Sequence, residues 1–191
     1  MTAQEFLVWC TRRDGERWEL VHGEPLRIAP VEMMAGARRR HDQIVTNLIV
    51  ALGTRMRGKP CRPYTADFAM LTSHDANVRR PDVLIDCAEG KGDDLSAREP
   101  AAAFEVLSPS NANFTRFSKV DEYKAVPSLR HIIVLDSEAA RLVLYSRAAN
   151  DAWINETIEG AGAVLPLTGF GINVPLAEMY AEVSFPEAGE A

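Results

Sequence analysis

Only three cysteines occur in the 191 residues, Cys10, Cys61 and Cys87, too few and too scattered for a disulfide framework or a cysteine zinc site. They read as free thiols packed as small hydrophobes. The four histidines, His22, His41, His74 and His131, show no ligand spacing to one another, which speaks against zinc altogether. No apolar run is long enough to span a bilayer, so no membrane association is expected. The N-terminus MTAQEFLVWCTRRDGERWEL is amphipathic and lacks a signal peptide's basic start and cleavage site, and the expected location is the cytoplasm. A phosphate-cradling G-x-x-x-x-G-K-(S/T) loop is missing, which disfavours ATP-driven chemistry. Ser108 and Ser110 sit in no G-x-S-x-G elbow, which disfavours a serine hydrolase. With no internal repeat and no low-complexity linker, residues 1–185 are expected to form one domain, and the small polar tail 186–191 to fray.

What is present has the balance of a soluble globular protein, with 47% apolar and 25% charged residues. The net charge of −6 argues against a nucleic-acid partner at first sight. The arginines are clustered, however: Arg38, Arg39 and Arg40 are consecutive, Arg55, Arg57, Lys59 and Arg62 follow, and Arg79 and Arg80 precede an aspartate. A site that binds metal through carboxylates lowers net charge while local arginine still holds phosphate.

Thr2 and Glu5 fit a capping box ahead of a helix that buries Phe6, Leu7, Trp9 and Cys10. WELVHGEPLRI reads as two short strands around a Gly23 turn. From His41 to Arg57, the apolar residues Ile44, Val45, Leu48, Leu52 and Met56 recur at helical spacing. Strand-like runs follow at 63–71, 82–87, 101–107 and 131–135, with a helix predicted over 115–125. Two further strands, 141–146 and 153–157, flank the Ala149–Asn150–Asp151 turn. The pattern predicts an α/β or α+β fold with one core.

Two acids stand out. Asp82 opens the strand of RRPDVLIDC directly after Pro81, where a missing N–H does least harm. Glu105 interrupts the apolar run AAAFEVL, where a carboxylate is costly unless it is paired or binds a cation. On neighbouring strands they can converge on one hard cation, Mg²⁺ or Mn²⁺, with the Val106 carbonyl as a further ligand. Lys119, fourteen residues after Glu105, could reach back from the following helix. Blander readings stand beside these: a turn residue for Asp82, a buried salt bridge to arginine for Glu105, an exposed helix charge for Lys119. His41 reads equally as a phosphate or acid/base contact and as a polar residue opening its helix. Tyr123, one turn after Lys119, reads first as a packed aromatic. Asp67 and Asp86 read as solvated strand residues, with Asp67 a candidate to join the site from a sheet edge.

The segments WELVHGEPLRIAP, RRRHDQIVTNLIVAL, RRPDVLI, EPAAAFEVLSPSNANF, KVDEYKAVPSLRHIIVLD and LPLTGFGINVPLAEMY occur in this order along nearly the whole chain. In them the chain resembles the bacterial Uma-type family of restriction-endonuclease-like proteins, a branch of the PD-(D/E)XK nuclease superfamily once filed as a domain of unknown function. The run EVLSPS, the K-x-x-x-Y of Lys119 and Tyr123, and the strand ending in Asp136 are its most specific parts. The resemblance implies a restriction-endonuclease-like core: a central mixed β-sheet flanked by helices, with additional antiparallel strands. It implies a metal held by Asp82 and Glu105. In the superfamily's plainest form the lysine sits two residues after the glutamate, where this chain has Leu107; the family's helix lysine maps to Lys119. Glu24, in a G-E strand motif, and His41 match recurring positions near the site. The family commonly carries D-R ahead of the lysine, where Thr115 and Arg116 stand here, and a threonine can still cap a helix.

The function so implied is metal-dependent endonuclease cleavage of DNA phosphodiester bonds, by a chain expected to act as a homodimer. Its interface is expected near the edge strands 141–145 and 153–157. The alternative is a catalytically silent nuclease fold that binds nucleic acid or a protein partner. A third is hydrolysis of another phosphate ester.

Overall fold

In the computed structural model, residues 1–13, 15–28, 35–73, 76–107 and 118–185 are described. The chain starts with α1 (Ala3–Cys10), closed by the expected capping box: Glu5 N–H donates to Thr2 Oγ1 (3.2 Å) and Thr2 N–H to Glu5 Oε2 (2.9 Å). Strands β1 (Trp18–Val21) and β2 (Glu24–Arg27) form a hairpin across His22 and Gly23. Both turn residues have positive φ, 51° and 79°, as a two-residue hairpin turn matched to strand twist requires.

The long helix α2 (Ala35–Met56) begins six residues before the expected start, so His41 lies in its second turn and does not open it. Ile44, Leu48, Ala51, Leu52 and Met56 are buried at helical spacing. The run expected as one strand over 63–71 is two, β3 (Arg62–Thr65) and β4 (Met70–Ser73), broken by a turn in which Phe68 N–H donates to Thr65 O. A strand that sequence periodicity did not separate, β5 (Asn77–Arg79), precedes β6 (Val83–Asp86). Then come β7 (Pro100–Leu107), α3 (Val120–Lys124), β8 (His131–Asp136), β9 (Arg141–Arg147) and β10 (Trp153–Glu159). The hairpin β11 (Val164–Leu167) and β12 (Ile172–Pro175) leads into α4 (Leu176–Met179). The helix expected over 115–125 is short where it is described, and Thr115, Arg116 and the tail 186–191 lie outside the described residues.

The fold is mixed α and β. A six-stranded sheet runs β10-β9-β8-β7-β6-β3, a second sheet runs β2-β1-β5-β4, and β11 pairs with β12. β7 and β8 are parallel and the other pairs antiparallel, which makes the central sheet mixed. β9 is therefore interior, and of the two strands expected as edges only β10 is one.

β7 is the hub. All eight of its residues are buried, and Ala101, Ala102 and Ala103 leave room for cover on both faces. Phe104 and Val106 join Val83, Ile85, Ile133 and Leu135 beneath α2 and α4. Ala103 and Leu107 join Leu84, Ile132 and Val134 beneath α3, with Val120 and Tyr123. A third cluster seats Phe6 and Leu7 of α1 on Leu20 and Val78 of the smaller sheet. Asn47 of α2 ties the layers together by donating to Met179 O (3.0 Å) and Ala181 O (2.9 Å), carbonyls left open where α4 ends.

The cysteine expectation is overturned for two of three. Arg62 of β3 pairs with Asp86 of β6, so Cys61 and Cys87 stand opposite one another one residue further out, and they form a disulfide. Cys10 is the free thiol.

Candidate functional site

Register brings the two acids together. β6 and β7 pair from Val83↔Phe104, and one step further Asp82 faces Glu105. Asp82 Oδ2 accepts Val106 N–H at 2.8 Å, which ties the aspartate to the strand that carries the glutamate. Pro81, immediately before it, is buried and has no N–H to satisfy. His41 descends from α2 and sets Nε2 3.2 Å from the same Asp82 oxygen, with Nδ1 3.4 Å from Asp42 Oδ1. Burial opposes a charged imidazole, yet hydrogen bonding and attraction from Asp82, reinforced by Asp42, raise the His41 pKa to about 9.

On the opposite face α3 closes over Glu105. Lys119 Nζ donates to Glu105 Oε1 at 3.2 Å and lies 3.5 Å from Oε2. Tyr123 Oη donates to Oε1 at 2.5 Å. Burial pushes the Glu105 pKa up to about 7 against the pull of Lys119, with Asp82 and Glu19 adding repulsion. Lys119 is itself buried, which disfavours its charge, but Glu105 and Glu19 more than offset this and hold its pKa above the ordinary lysine value. Burial first, then Glu105, raises Tyr123, so it stays a phenol.

One further acid, which sequence reasoning passed over, completes the cluster. Glu19 of β1, only 3% exposed, accepts Lys119 Nζ at 3.0 Å, Arg79 Nη1 at 2.9 Å and Arg80 N–H at 3.2 Å. Arg79 continues to Glu122 of α3, donating through Nε (2.8 Å) and Nη2, while Thr72 Oγ1 donates to the same carboxylate at 3.0 Å. The chain Glu19–Arg79–Glu122 thus anchors α3, and Lys119 with it, to the smaller sheet. A signal for Glu19 was available: it interrupts the apolar strand WELV much as Glu105 interrupts AAAFEVL.

The structure therefore brings Asp82, Glu105, Val106, Lys119, His41 and Tyr123 into one cluster. It leaves Glu24 out, exposed at the start of edge strand β2. Asp67 is also apart, in the turn after β3, with its side chain 80% exposed and 3.7 Å from Arg17. Asp86 is buried, contrary to the solvated reading, and accepts Glu99 N–H at 2.8 Å.

Among the described residues no three His, Cys, Asp or Glu side chains form a ready cage for a metal ion. The donor set nonetheless suits a hard cation that takes one or two carboxylates and completes its shell with water and phosphate oxygens. Asp82, Glu105, Glu19 and Glu122 bring four carboxylates against three cations, Lys119, Arg79 and the imidazolium of His41.

A mixed sheet whose interior strands β6 and β7 bring Asp82 and Glu105 together, faced by Lys119, defines a mixed α and β fold with an acid–lysine cluster. The chain belongs to the Uma2 family, described as "Putative restriction endonuclease", whose model matches residues 3–177. It is 25% identical over 166 residues to the "Uncharacterized protein sll1609" of Synechocystis sp., covering 85% of this chain and 90% of that protein. Its fold is similar to a crystal structure from Anabaena variabilis titled a putative nuclease belonging to DUF820. That similarity has a TM-score of 0.68 at 12% identity, over 94% of this chain and 97% of the other.

Proposed function

We propose that this protein is a metal-dependent endonuclease that hydrolyses DNA phosphodiester bonds. The observation that carries the reading is the facing pair Asp82 and Glu105 with the buried Lys119 ammonium 3.2 Å from Glu105, in a chain of this family.

Asp82 and Glu105, with the Val106 carbonyl, would hold Mg²⁺ or Mn²⁺. The chemistry such an ion supplies is Lewis-acid polarisation of a phosphate oxygen and a lowered water pKa. The remaining work belongs to the chain. Lys119 holds a positive charge where the phosphate gains negative charge, and Glu19 and Glu105 fix its ammonium from two sides. Tyr123 orients Glu105 through its short hydrogen bond. His41 keeps Asp82 turned toward the site and can carry a proton at Nε2.

Supercoiled plasmid DNA with millimolar Mg²⁺ or Mn²⁺ provides the test. Nicking or linearisation by the parent, stopped by EDTA and lost in Glu105→Ala, is expected; a Glu105→Ala variant as active as the parent would refute the assignment. The closed ion pairing of Lys119 with Glu105 favours one second reading, a silent nuclease fold that binds nucleic acid or a protein partner. Calorimetric titration with Mn²⁺ separates the two, because a silent site shows no saturable binding that depends on Glu105.

A further inference from the structure

Three buried or half-buried arginines of this chain are each held by several partners. Arg79 bridges Glu19 and Glu122, Arg55 donates to Asn173 O, Ala51 O and Glu178, and Arg147 donates to Leu129 O, Lys124 O and Val126 O. Arg40 is different. Its side chain is only 23% exposed, yet its Nε is buried without a hydrogen-bond partner among the described residues. Its Nη2 approaches one group, the half-exposed Glu138 Oε1, at 3.8 Å, too long for a hydrogen bond. A guanidinium withdrawn from water this far normally carries hydrogen bonds, because leaving its N–H groups unmade is costly. A structural arginine would have them.

Position gives the open guanidinium a meaning. Arg40 directly precedes His41, whose ring touches Asp82. Glu138 follows two residues after Asp136, the parallel partner of Leu107, which itself lies two residues beyond Glu105. Arg40 therefore sits near the end of β8, one residue before the histidine that touches Asp82. Next to Glu138, Ser137 is 1% exposed and its Oγ is likewise buried without a partner among the described residues. Two polar groups without a hydrogen-bond partner among the described residues, Arg40 Nε and Ser137 Oγ, thus stand near the end of β8. A phosphate diester approaching the acid cluster needs a cation that is not already consumed by carboxylates. Lys119 is held between two of them, whereas among the described residues Arg40 has one loose tie, to Glu138.

We propose that Arg40 is the phosphate-binding cation of this site, holding a backbone phosphate of DNA beside Asp82, and that Glu138 occupies it in the unbound protein. The proposal rests on the nuclease reading. The planar fork of arginine matches two phosphate oxygens, and the weak Glu138 contact is easily exchanged for them.

The test is binding without cleavage. A fluorescein-labelled DNA duplex is titrated with the full chain in EDTA, by anisotropy, across a series of salt concentrations. Removing one phosphate contact lowers the slope of log K against log salt by about one, and weakens binding at 0.1 M salt by about tenfold. Arg40→Ala is expected to show both, Arg40→Lys to keep the slope, and Glu138→Gln to bind more tightly than the parent. Arg40→Ala with the parent's slope and affinity would overturn the proposal, as would a Glu138→Gln that loses thermal stability without tightening. The Glu138 variant decides the matter even if Arg40→Ala fails to fold. A parent chain that binds no duplex at any salt overturns the nuclease reading and this proposal together, whereas binding unaffected by Arg40 overturns only the latter.

Discussion

Replacing Lys119 by methionine keeps most of the stem's apolar volume and deletes the charge. In the parent, Nζ lies 3.0 Å from Glu19 and 3.2 Å from Glu105, and the three side chains are 11%, 3% and 4% exposed. Breaking a buried ion pair from one side costs about 3–5 kcal/mol, because the partner's charge stays behind. Two groups soften the loss here: Tyr123 still donates to Glu105, and Arg79 still pairs with Glu19. The lower end, about 3 kcal/mol, is therefore expected for Lys119→Met without metal. At about 2–4 °C per kcal/mol for a chain of this size, Tm falls by about 6–12 °C. Differential scanning calorimetry in EDTA measures it. A companion Glu105→Gln/Lys119→Met double variant, in which the stranded carboxylate is also neutral, recovers part of the loss, giving a positive coupling between the sites. A Lys119→Met variant within about 1 °C of the parent would refute the reasoning, since that is the behaviour of an exposed lysine.

The remaining predictions follow from the same geometry. His41 has a folded pKa of about 9 against an ordinary value of 6.5. Its contribution, on the order of 3 kcal/mol, is fully present below pH 6.5 and lost as pH rises through 9. Urea unfolding of the metal-free protein between pH 6 and 10 should show this arm, and His41→Gln should flatten it. Glu105, raised to about 7, has the same sign: its contribution is present below pH 4.5 and lost as pH rises through 7. A Glu105→Gln variant should therefore lose less stability than the parent across that window. Glu19→Gln, which loosens Lys119 and Arg79 together, should cost about 2–3 kcal/mol with an unchanged urea m-value, and a cost within error of zero would remove Glu19 from the cluster. The Cys61–Cys87 disulfide closes a loop of 26 residues, so reduction should cost about 3–4 kcal/mol. Thiol titration of the unreduced, denatured chain should find one free sulfhydryl, Cys10, and three would contradict the pairing.

Local pattern was enough for much of this protein. A charged residue in an apolar strand, an acid placed directly after proline and a lysine followed by tyrosine one turn on are all properties of short segments. The first two singled out Asp82 and Glu105 before any strand was paired, while Lys119 and Tyr123 drew their weight from the family resemblance. Helical periodicity likewise marked the buried face of α2, because a 3.6-residue repeat is written in consecutive residues. What consecutive residues do not contain is which strand lies beside which. Glu19 and Glu24 flank the same turn, and both belong to short strands. Glu19 is buried because β1 is sandwiched between β2 and β5, while Glu24 is exposed because β2 is an edge. That difference arises from strand order, a matter of distant contacts. Cys61 and Cys87 are joined for the same reason, since only the β3–β6 register sets them face to face. The open guanidinium of Arg40 belongs with these. Its neighbours in sequence are arginine and histidine, and its freedom is visible only once the end of β8 is packed beneath it. Side-chain chemistry was thus local information, and the pairing of one chemistry with another was decided by tertiary packing.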